Sequence, residues 1–181
     1  MKFVNWLKKG PRSWVSLFVW AAFLALAIVI IAYSCVPNAK SAEQTNQVAG
    51  TISGIINETT SSETINSDNW QEFYQLIRKG IGHFALFLVT AIFGYLSCVF
   101  AFKRFRFDWA LFVLISGAAG FLLAGLSEAI QLIPALNRVG QWSDVGIDMT
   151  GYAIGTLLPL IGFLIYKIWK RYHPKDQKEI S

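Results

Sequence analysis

The sequence predicts an all-α integral membrane bundle of four transmembrane helices with both termini in the cytoplasm. Three observations support this fold class. The 181 residues are 54% hydrophobic and only 15% charged, whereas charged residues make up about a quarter of soluble domains. The apolar residues form blocks of about 20 residues, which is the length that a helix needs to cross a hydrocarbon core. The basic residues flank these blocks, as orientation signals do.

The first span is predicted at residues 14–36, after a basic cytoplasmic N-terminus at residues 1–13. Its apolar stretch exceeds the ~7–15 residues typical of a cleavable signal peptide, so we expect an uncleaved helix. The sequence AYSC at residues 32–35 faintly resembles a lipoprotein cleavage box, although Tyr33 fits that box poorly. Whether Cys35 is lipidated stays open at this point.

Residues 37–80 are predicted to form an extracytoplasmic polar loop with an interfacial segment. The loop is rich in Ser, Thr, Asn and Gln, and its mildly apolar stretch at 48–56 predicts a short interfacial helix. Residues 70–77 are amphipathic, and their aromatic side chains suit the depth of the lipid headgroups. The sequence leaves the order of residues 37–68 open.

Residues 81–166 are predicted to form the core of the protein. They contain three apolar blocks separated by a basic turn at 103–108 and a polar loop at 128–144. These blocks predict spans 2 to 4, at residues 81–102, 109–127 and 145–166. A basic cytoplasmic tail follows at residues 167–181.

The distribution of Lys and Arg predicts the orientation. Twelve of the sixteen basic residues lie at 1–13, at 103–108 and from 167 onward. The remaining four are Lys40, Arg78, Lys79 and Arg138. Both termini are therefore predicted to be cytoplasmic, and four crossings fit this distribution whereas three or five do not.

Polar residues that are costly in a membrane are predicted to meet at the outer ends of spans 2 to 4. These candidate binding residues are Lys79, His83, Glu128, Gln131, Arg138, Asp144 and Asp148. Residues three or four apart share a helix face, which pairs Lys79 with His83 and Asp144 with Asp148. At a rise of about 1.5 Å per residue, His83, Glu128 and Asp148 can lie at similar depth.

Asp148 is the most informative member of this set, because a carboxylate inside a span usually faces the bundle and has a partner. The candidate partners are Lys79, His83 and Arg138. Members of the set also have purely structural interpretations. Lys79 and Arg138 can be interpreted as snorkelling anchors, and Asp144 as a helix cap. A polar clasp that holds the bundle closed is the structural alternative for the whole set. The coincidence of depth favours a functional site.

Small residues indicate how the helices pack. They repeat every four residues along the third span, in a row that continues to Glu128. On the fourth span, a second row of small residues begins one turn after Asp148. Such ridges allow close helix approach in lipid. The small residues are Ser116, Gly120, Ala124, Gly151 and Gly155.

Taken in order, these motifs resemble the VanZ-like membrane protein family over residues 70–166. The resemblance rests on Arg78-Lys79, Gly82-His83-Phe84, Glu128-x-x-Gln131, Arg138, Asp144 and Gly151-x-x-x-Gly155. This chain departs from the family pattern in two places. Many members have two residues between the Lys and the His, whereas three separate Lys79 from His83. Many members have Asn at the position of Asp148. The resemblance implies a multi-pass protein of the bacterial cell membrane, in the cell envelope of Gram-positive bacteria. It also implies an association with resistance to glycopeptide antibiotics, chiefly teicoplanin. It does not assign a catalytic role to any residue.

The favoured hypothesis for function is a polar, outward-facing pocket that binds an anionic lipid or a cell-wall precursor. Lys79, His83 and Arg138 would contact the anion. The expected partners are membrane lipids and a lipid-linked cell-wall precursor or a glycopeptide. Nucleic acid is not expected, because the basic residues flank apolar blocks. The oligomeric state is not predicted.

The alternative is a membrane-embedded enzyme that acts on a lipid-linked envelope substrate. His83, Glu128 and Asp148 are then the catalytic candidates, by acid–base or metal-assisted chemistry. The ligand types suit a metal, but their spacing matches no specific metal motif, so neither a metal nor another cofactor is predicted. A transporter is disfavoured, because no line of polar residues crosses the predicted bilayer.

Overall fold

The computed structural model describes residues 13–101 and 109–172, and these residues form helices and short connections without a strand. The helices are α1 (Ser13–Ser34), α2 (Asn38–Thr60), α3 (Trp70–Ile77), a π-helix (Arg78–Ala85), α4 (Leu86–Ala101), α5 (Trp109–Gln131), a 3₁₀ turn (Pro134–Leu136) and α6 (Trp142–Tyr172). The π-helix joins α3 to α4 without a break. The predicted all-α fold is confirmed.

Within the described ranges, four helices are long and apolar enough to span a membrane, as predicted. They are Trp14–Ser34, Trp70–Phe100, Ala110–Gln131 and Trp142–Tyr172. The second candidate span starts earlier than predicted, because the amphipathic segment continues through the π-helix into α4. Most of the basic residues that predict the orientation lie at 1–12, 102–108 and 173–181, outside the described residues. The cytoplasmic placement of both termini therefore stays a prediction.

The segment after α1 differs from the polar loop that the sequence predicts. Most of it is the helix α2, which is much longer than the short helix expected at residues 48–56. The reason is a sparse apolar stripe, in which Ala49, Ile52 and Ile56 share one helix face. That face packs on Phe73 and Ile77 of α3. The average polarity of the segment conceals this stripe.

The close contact between α6 and the second candidate span depends on two glycines. A Cβ atom at Gly151 would overlap the carbonyl oxygen of Phe84, and one at Gly155 would overlap the carbonyl oxygen of Leu88. The backbone of α6 therefore approaches the π-helix and α4 directly. This contact brings Asp148, one turn before Gly151, next to the π-helix.

Tyr152 fills the space between α4, α5 and α6. Its side chain is buried, and a Cβ atom at Gly120 would lie 2.6 Å from its ring, while one at Gly94 would lie 2.6 Å from its hydroxyl oxygen. Its hydroxyl group forms a hydrogen bond of 3.2 Å with the hydroxyl of Ser116. The small residues of α5 thus face α6, and the same face continues to Glu128, which is buried.

Candidate functional site

His83 lies between two carboxylates of α6. Its Nδ1 is 3.0 Å from Oδ1 of Asp148, and its Nε2 is 3.9 Å from Oδ2 of Asp144. The other oxygen of Asp144 is 3.5 Å from Nζ of Lys79. Asp144 and Asp148 are one turn apart on α6, so both face the π-helix that carries Lys79 and His83. The partner of Asp148 is therefore His83.

Lys79 and His83 both reach Asp144 from the π-helix. They lie four residues apart in this segment, and residues at that spacing share a helix face. A π-helix closes i→i+5 hydrogen bonds, so a spacing of four residues completes nearly one turn and both side chains stay on the side of α6.

Glu128 is fixed by two hydrogen bonds at the C-terminal end of α5. Its Oε1 accepts a bond of 2.9 Å from the side-chain amide of Gln131. Its Oε2 accepts a bond of 2.9 Å from the backbone N–H of Gln141. The connection passes close by at Gly140, where a Cβ atom would lie 2.7 Å from the carbonyl oxygen of Glu128. No pattern in the sequence predicts the roles of Gly140 and Gln141.

Three of the predicted site residues form a group that could hold a metal ion. One ligand atom from each of His83, Glu128 and Asp148 lies within 4.8 Å of the others. Asp148 is fully buried, and its Oδ2 has no hydrogen-bond partner in the described part of the chain. This arrangement can exchange a proton between a histidine and carboxylates, or it can coordinate a cation.

Arg138 contacts the end of α1 rather than one of the acids, although Glu128 and Asp144 are close enough for their charges to act on it. Its Nη1 donates hydrogen bonds of 3.1 Å and 3.3 Å to the carbonyl oxygens of Tyr33 and Val36. These oxygens lie at the C-terminal end of α1, where helical carbonyls lack partners within the helix. Burial, together with the nearby positive charge of Arg78, lowers the pKa of the Arg138 guanidinium. Of the three candidate partners of Asp148, His83 contacts it, whereas Arg138 contacts the end of α1 and Lys79 contacts Asp144.

A cavity of about 330 Å³ lies between α1, α2, the π-helix and α5. Most of the wall surface that faces this cavity is apolar, although many of the lining residues are polar. Its polar lining consists of Tyr33, Ser34, Ser41, Gln44, Thr45, Arg78, His83, Ser127, Gln131 and Arg138. His83 lines this cavity and also contacts Asp148, so the cavity borders the acidic group.

Two buried polar atoms at the cavity have no hydrogen-bond partner among the described residues. They are Oε1 of Gln44 and Nε of Arg138. Gln44 lies on α2, and no pattern in the sequence indicates that it contributes to a site. Its position depends on how α2 packs against the rest of the bundle, and the sequence predicts a polar loop in this part of α2.

Comparison with known proteins assigns the chain to a family. The family model described as VanZ/LLP1 matches residues 18–170, which is most of the chain. The chain belongs to the VanZ/LLP1 family. This result confirms the resemblance and extends it from the last three spans to α1 and α2. Searches of curated proteins and of solved structures each found no match.

Membership of the VanZ/LLP1 family agrees with a protein that has four helices able to span a membrane. It also supports the association with resistance that the resemblance implies. In this VanZ/LLP1 chain, Lys79, His83, Asp144 and Asp148 form one connected group. Glu128 and Gln131 adjoin that group, and Arg138, in the connection between α5 and α6, contacts the C-terminal end of α1.

Proposed function

We propose that this VanZ/LLP1 protein binds an anionic amphiphile of the bacterial cell envelope, either a membrane lipid or a lipid-linked cell-wall precursor. The ligand occupies the cavity between α1, α2, the π-helix and α5. Binding there alters the access of a glycopeptide antibiotic of the teicoplanin type to its target. The observation that carries this proposal is a mostly apolar cavity whose lining includes two arginines, Arg78 and Arg138.

The two guanidinium groups favour an anion. Arg78 and Arg138 are close enough for the charge of the first to lower the pKa of the second. The contacts of Arg138 are backbone carbonyls, and its buried Nε has no partner among the described residues. Guanidinium groups bind phosphate and carboxylate through several hydrogen bonds at once. An anion between them would relieve their repulsion.

The rest of the cavity suits a hydrocarbon chain. Ile30, Val48, Ile77, Ile81 and Phe87 contribute to its walls. The volume is near the lower end of the ~300–1,000 Å³ typical of ligand pockets. It therefore suits a headgroup and the first part of a lipid chain, with the remainder in the bilayer.

Native mass spectrometry of the purified chain tests the proposal. The protein is presented with phosphatidylglycerol, a polyprenyl phosphate or neutral diacylglycerol in separate experiments. We expect Arg78→Gln and Arg138→Gln to retain the anionic lipids about tenfold less, because a charged hydrogen bond contributes ~1.5–3 kcal/mol. Preference for one anionic lipid distinguishes a bulk phospholipid from a cell-wall carrier.

Lys40→Gln is the matched control, since it removes an exposed basic residue of α2 that does not line the cavity. It should retain both anionic lipids as the unmodified chain does. Equal losses in Lys40→Gln and Arg78→Gln would contradict the proposal. Binding of neutral diacylglycerol by the unmodified chain, without binding of the anionic lipids, would also contradict it.

An enzyme is the second candidate function, and the position of His83 favours it. This histidine lines the cavity and lies between Asp144 and Asp148, so it can accept a proton from a bound substrate. The same spectra distinguish the two functions. A catalyst changes the mass of the bound lipid, and His83→Ala binds the lipid without changing it. An unchanged lipid after long incubation with the unmodified chain rules out this activity on the lipids tested.

A further inference from the structure

Three side chains of types that commonly bind metal ions converge from three different helices. His83 comes from the π-helix, Glu128 from α5 and Asp148 from α6, with ligand atoms within 4.8 Å of one another. Imidazole nitrogens and carboxylate oxygens both bind Zn²⁺, at about 2.0–2.2 Å. Two ligands at such distances from one tetrahedral ion lie roughly 3.4 Å apart. The 3.0 Å between His83 Nδ1 and Asp148 Oδ1 is a hydrogen-bond distance, and a small outward shift of either side chain would bring the two atoms to that separation.

A second, independent observation points to a missing partner for Asp148. Its side chain is 0% exposed, and its Oδ2 has no hydrogen bond in the part of the chain that the structure describes. A buried carboxylate oxygen without a partner is costly in an apolar surrounding. The nearby cations are engaged elsewhere, because Lys79 contacts Asp144 and Arg138 contacts the end of α1.

The surroundings of the three residues resemble the outer shell of a metal site. A histidine that binds a metal usually directs its other ring nitrogen at a carboxylate or a carbonyl. If Nδ1 of His83 binds the ion, Nε2 faces Asp144, 3.9 Å away, and Lys79 holds Asp144 in turn. Gln131 and the backbone of Gln141 orient Glu128 in the same way.

We propose that His83, Glu128 and Asp148 bind a divalent transition-metal ion of the Zn²⁺ or Mn²⁺ class. Glu128, Asp144 and Asp148 carry three negative charges against the one positive charge of Lys79, and a doubly charged ion balances the difference. Three protein ligands leave a further position on the ion for water or a ligand oxygen. Because His83 also lines the cavity, that position can face the cavity. The proposal does not depend on which molecule the cavity binds.

Metal analysis of the full chain tests this proposal. The chain is purified in detergent without metal-affinity resin, stripped with a chelator and titrated with Zn²⁺ or Mn²⁺ in separate experiments. We expect stoichiometric binding of one of these ions, measured by elemental mass spectrometry and calorimetry. Asp148→Asn and His83→Ala should abolish it. Asp144→Asn should weaken it by about 10–100-fold, as loss of an outer-shell partner does.

Glu72→Gln is the control, because it makes a carboxylate-to-amide change at an exposed residue of α3. It should bind the ion as the unmodified chain does. Binding that persists in both Asp148→Asn and His83→Ala overturns the proposal. Absence of stoichiometric binding in the unmodified chain also overturns it and favours a metal-free polar clasp.

His83→Cys keeps the test valid if the alanine or asparagine variants fail to fold. A thiolate can replace the imidazole as a ligand, so we expect this variant to keep the ion. With Co²⁺ as the probe, it should gain a thiolate charge-transfer band that the unmodified chain lacks, although that chain contains Cys35 and Cys98. A folded His83→Cys protein without this band contradicts the proposal.

Discussion

At the scale of single residues, the buried polar groups of the bundle differ in how completely they are bonded. Both oxygens of Glu128 accept hydrogen bonds. Asp148 has a partner for only one oxygen among the described residues. Tyr152 contacts Ser116 through a single pair of hydroxyl groups. The two hydrogen bonds hold the carboxylate of Glu128 in place, whereas Asp148 keeps one oxygen that can take a ligand.

The Tyr152–Ser116 pair gives a prediction at this scale. Interhelical hydrogen bonds in membrane proteins contribute about 0.6 kcal/mol on average. We therefore expect Tyr152→Phe and Ser116→Ala each to lower the free energy of unfolding slightly, while the ring of Tyr152 remains packed. Equilibrium unfolding in mild detergent measures these changes. The double variant should cost less than the two single changes added together, and strict additivity would contradict a direct bond.

At the scale of helices, two glycines set the distance between α6 and the second candidate span. Gly151 and Gly155 lie against backbone carbonyls of Phe84 and Leu88. The same contact positions Asp144 and Asp148 beside the π-helix. The site therefore depends on residues that have no polar group of their own.

Alanine substitution at Gly155 tests this dependence. Its Cβ atom would overlap the carbonyl oxygen of Leu88, so we expect Gly155→Ala to lower the free energy of unfolding by about 1–3 kcal/mol, as overpacking does. Gly162→Ala is the control on the same helix, because nothing lies within 4 Å of the added Cβ atom. This control should be neutral or mildly stabilising, since alanine favours helix by about 1 kcal/mol over glycine. Equal effects in both variants would contradict the close contact.

At the scale of the whole molecule, the orientation in the membrane decides which solution the site faces. The distribution of Lys and Arg predicts cytoplasmic termini. Cys35 directly follows α1 and is exposed, whereas Cys98 near the end of α4 is buried. The native cysteines are therefore suitable probes of the orientation.

We expect an impermeant maleimide to label Cys35 in intact cells of a Cys98→Ser variant. The predicted orientation places the end of α1 on the extracytoplasmic side, within reach of the reagent. As a control, Ser181→Cys in a chain without the native cysteines should react only after the cells are opened. Labelling of Ser181→Cys in intact cells, with Cys35 protected, would reverse the predicted orientation. A Cys35 that carries lipid would not react in either condition.

The sequence anticipated much of this site because its signals are local. Asp148 inside an apolar block, and the spacing of Lys79 and His83, indicate positions on helices without reference to the rest of the fold. The partners of Arg138 could not be anticipated, because Tyr33 and Val36 lie more than 100 residues away along the chain. The contribution of Gln44 was missed for a related reason, since α2 appeared to be a loop.

The sequence by itself determined the number of candidate spans, since uninterrupted apolar length is a property of each segment and needs no neighbour. It also determined which side chains are too polar to lie in lipid without a partner. Only the tertiary structure decided that α2 is a helix packed on α3, that Arg138 binds the end of α1, and that a cavity adjoins His83. These features arise from contacts between distant segments, whose geometry depends on the packing of several helices at once.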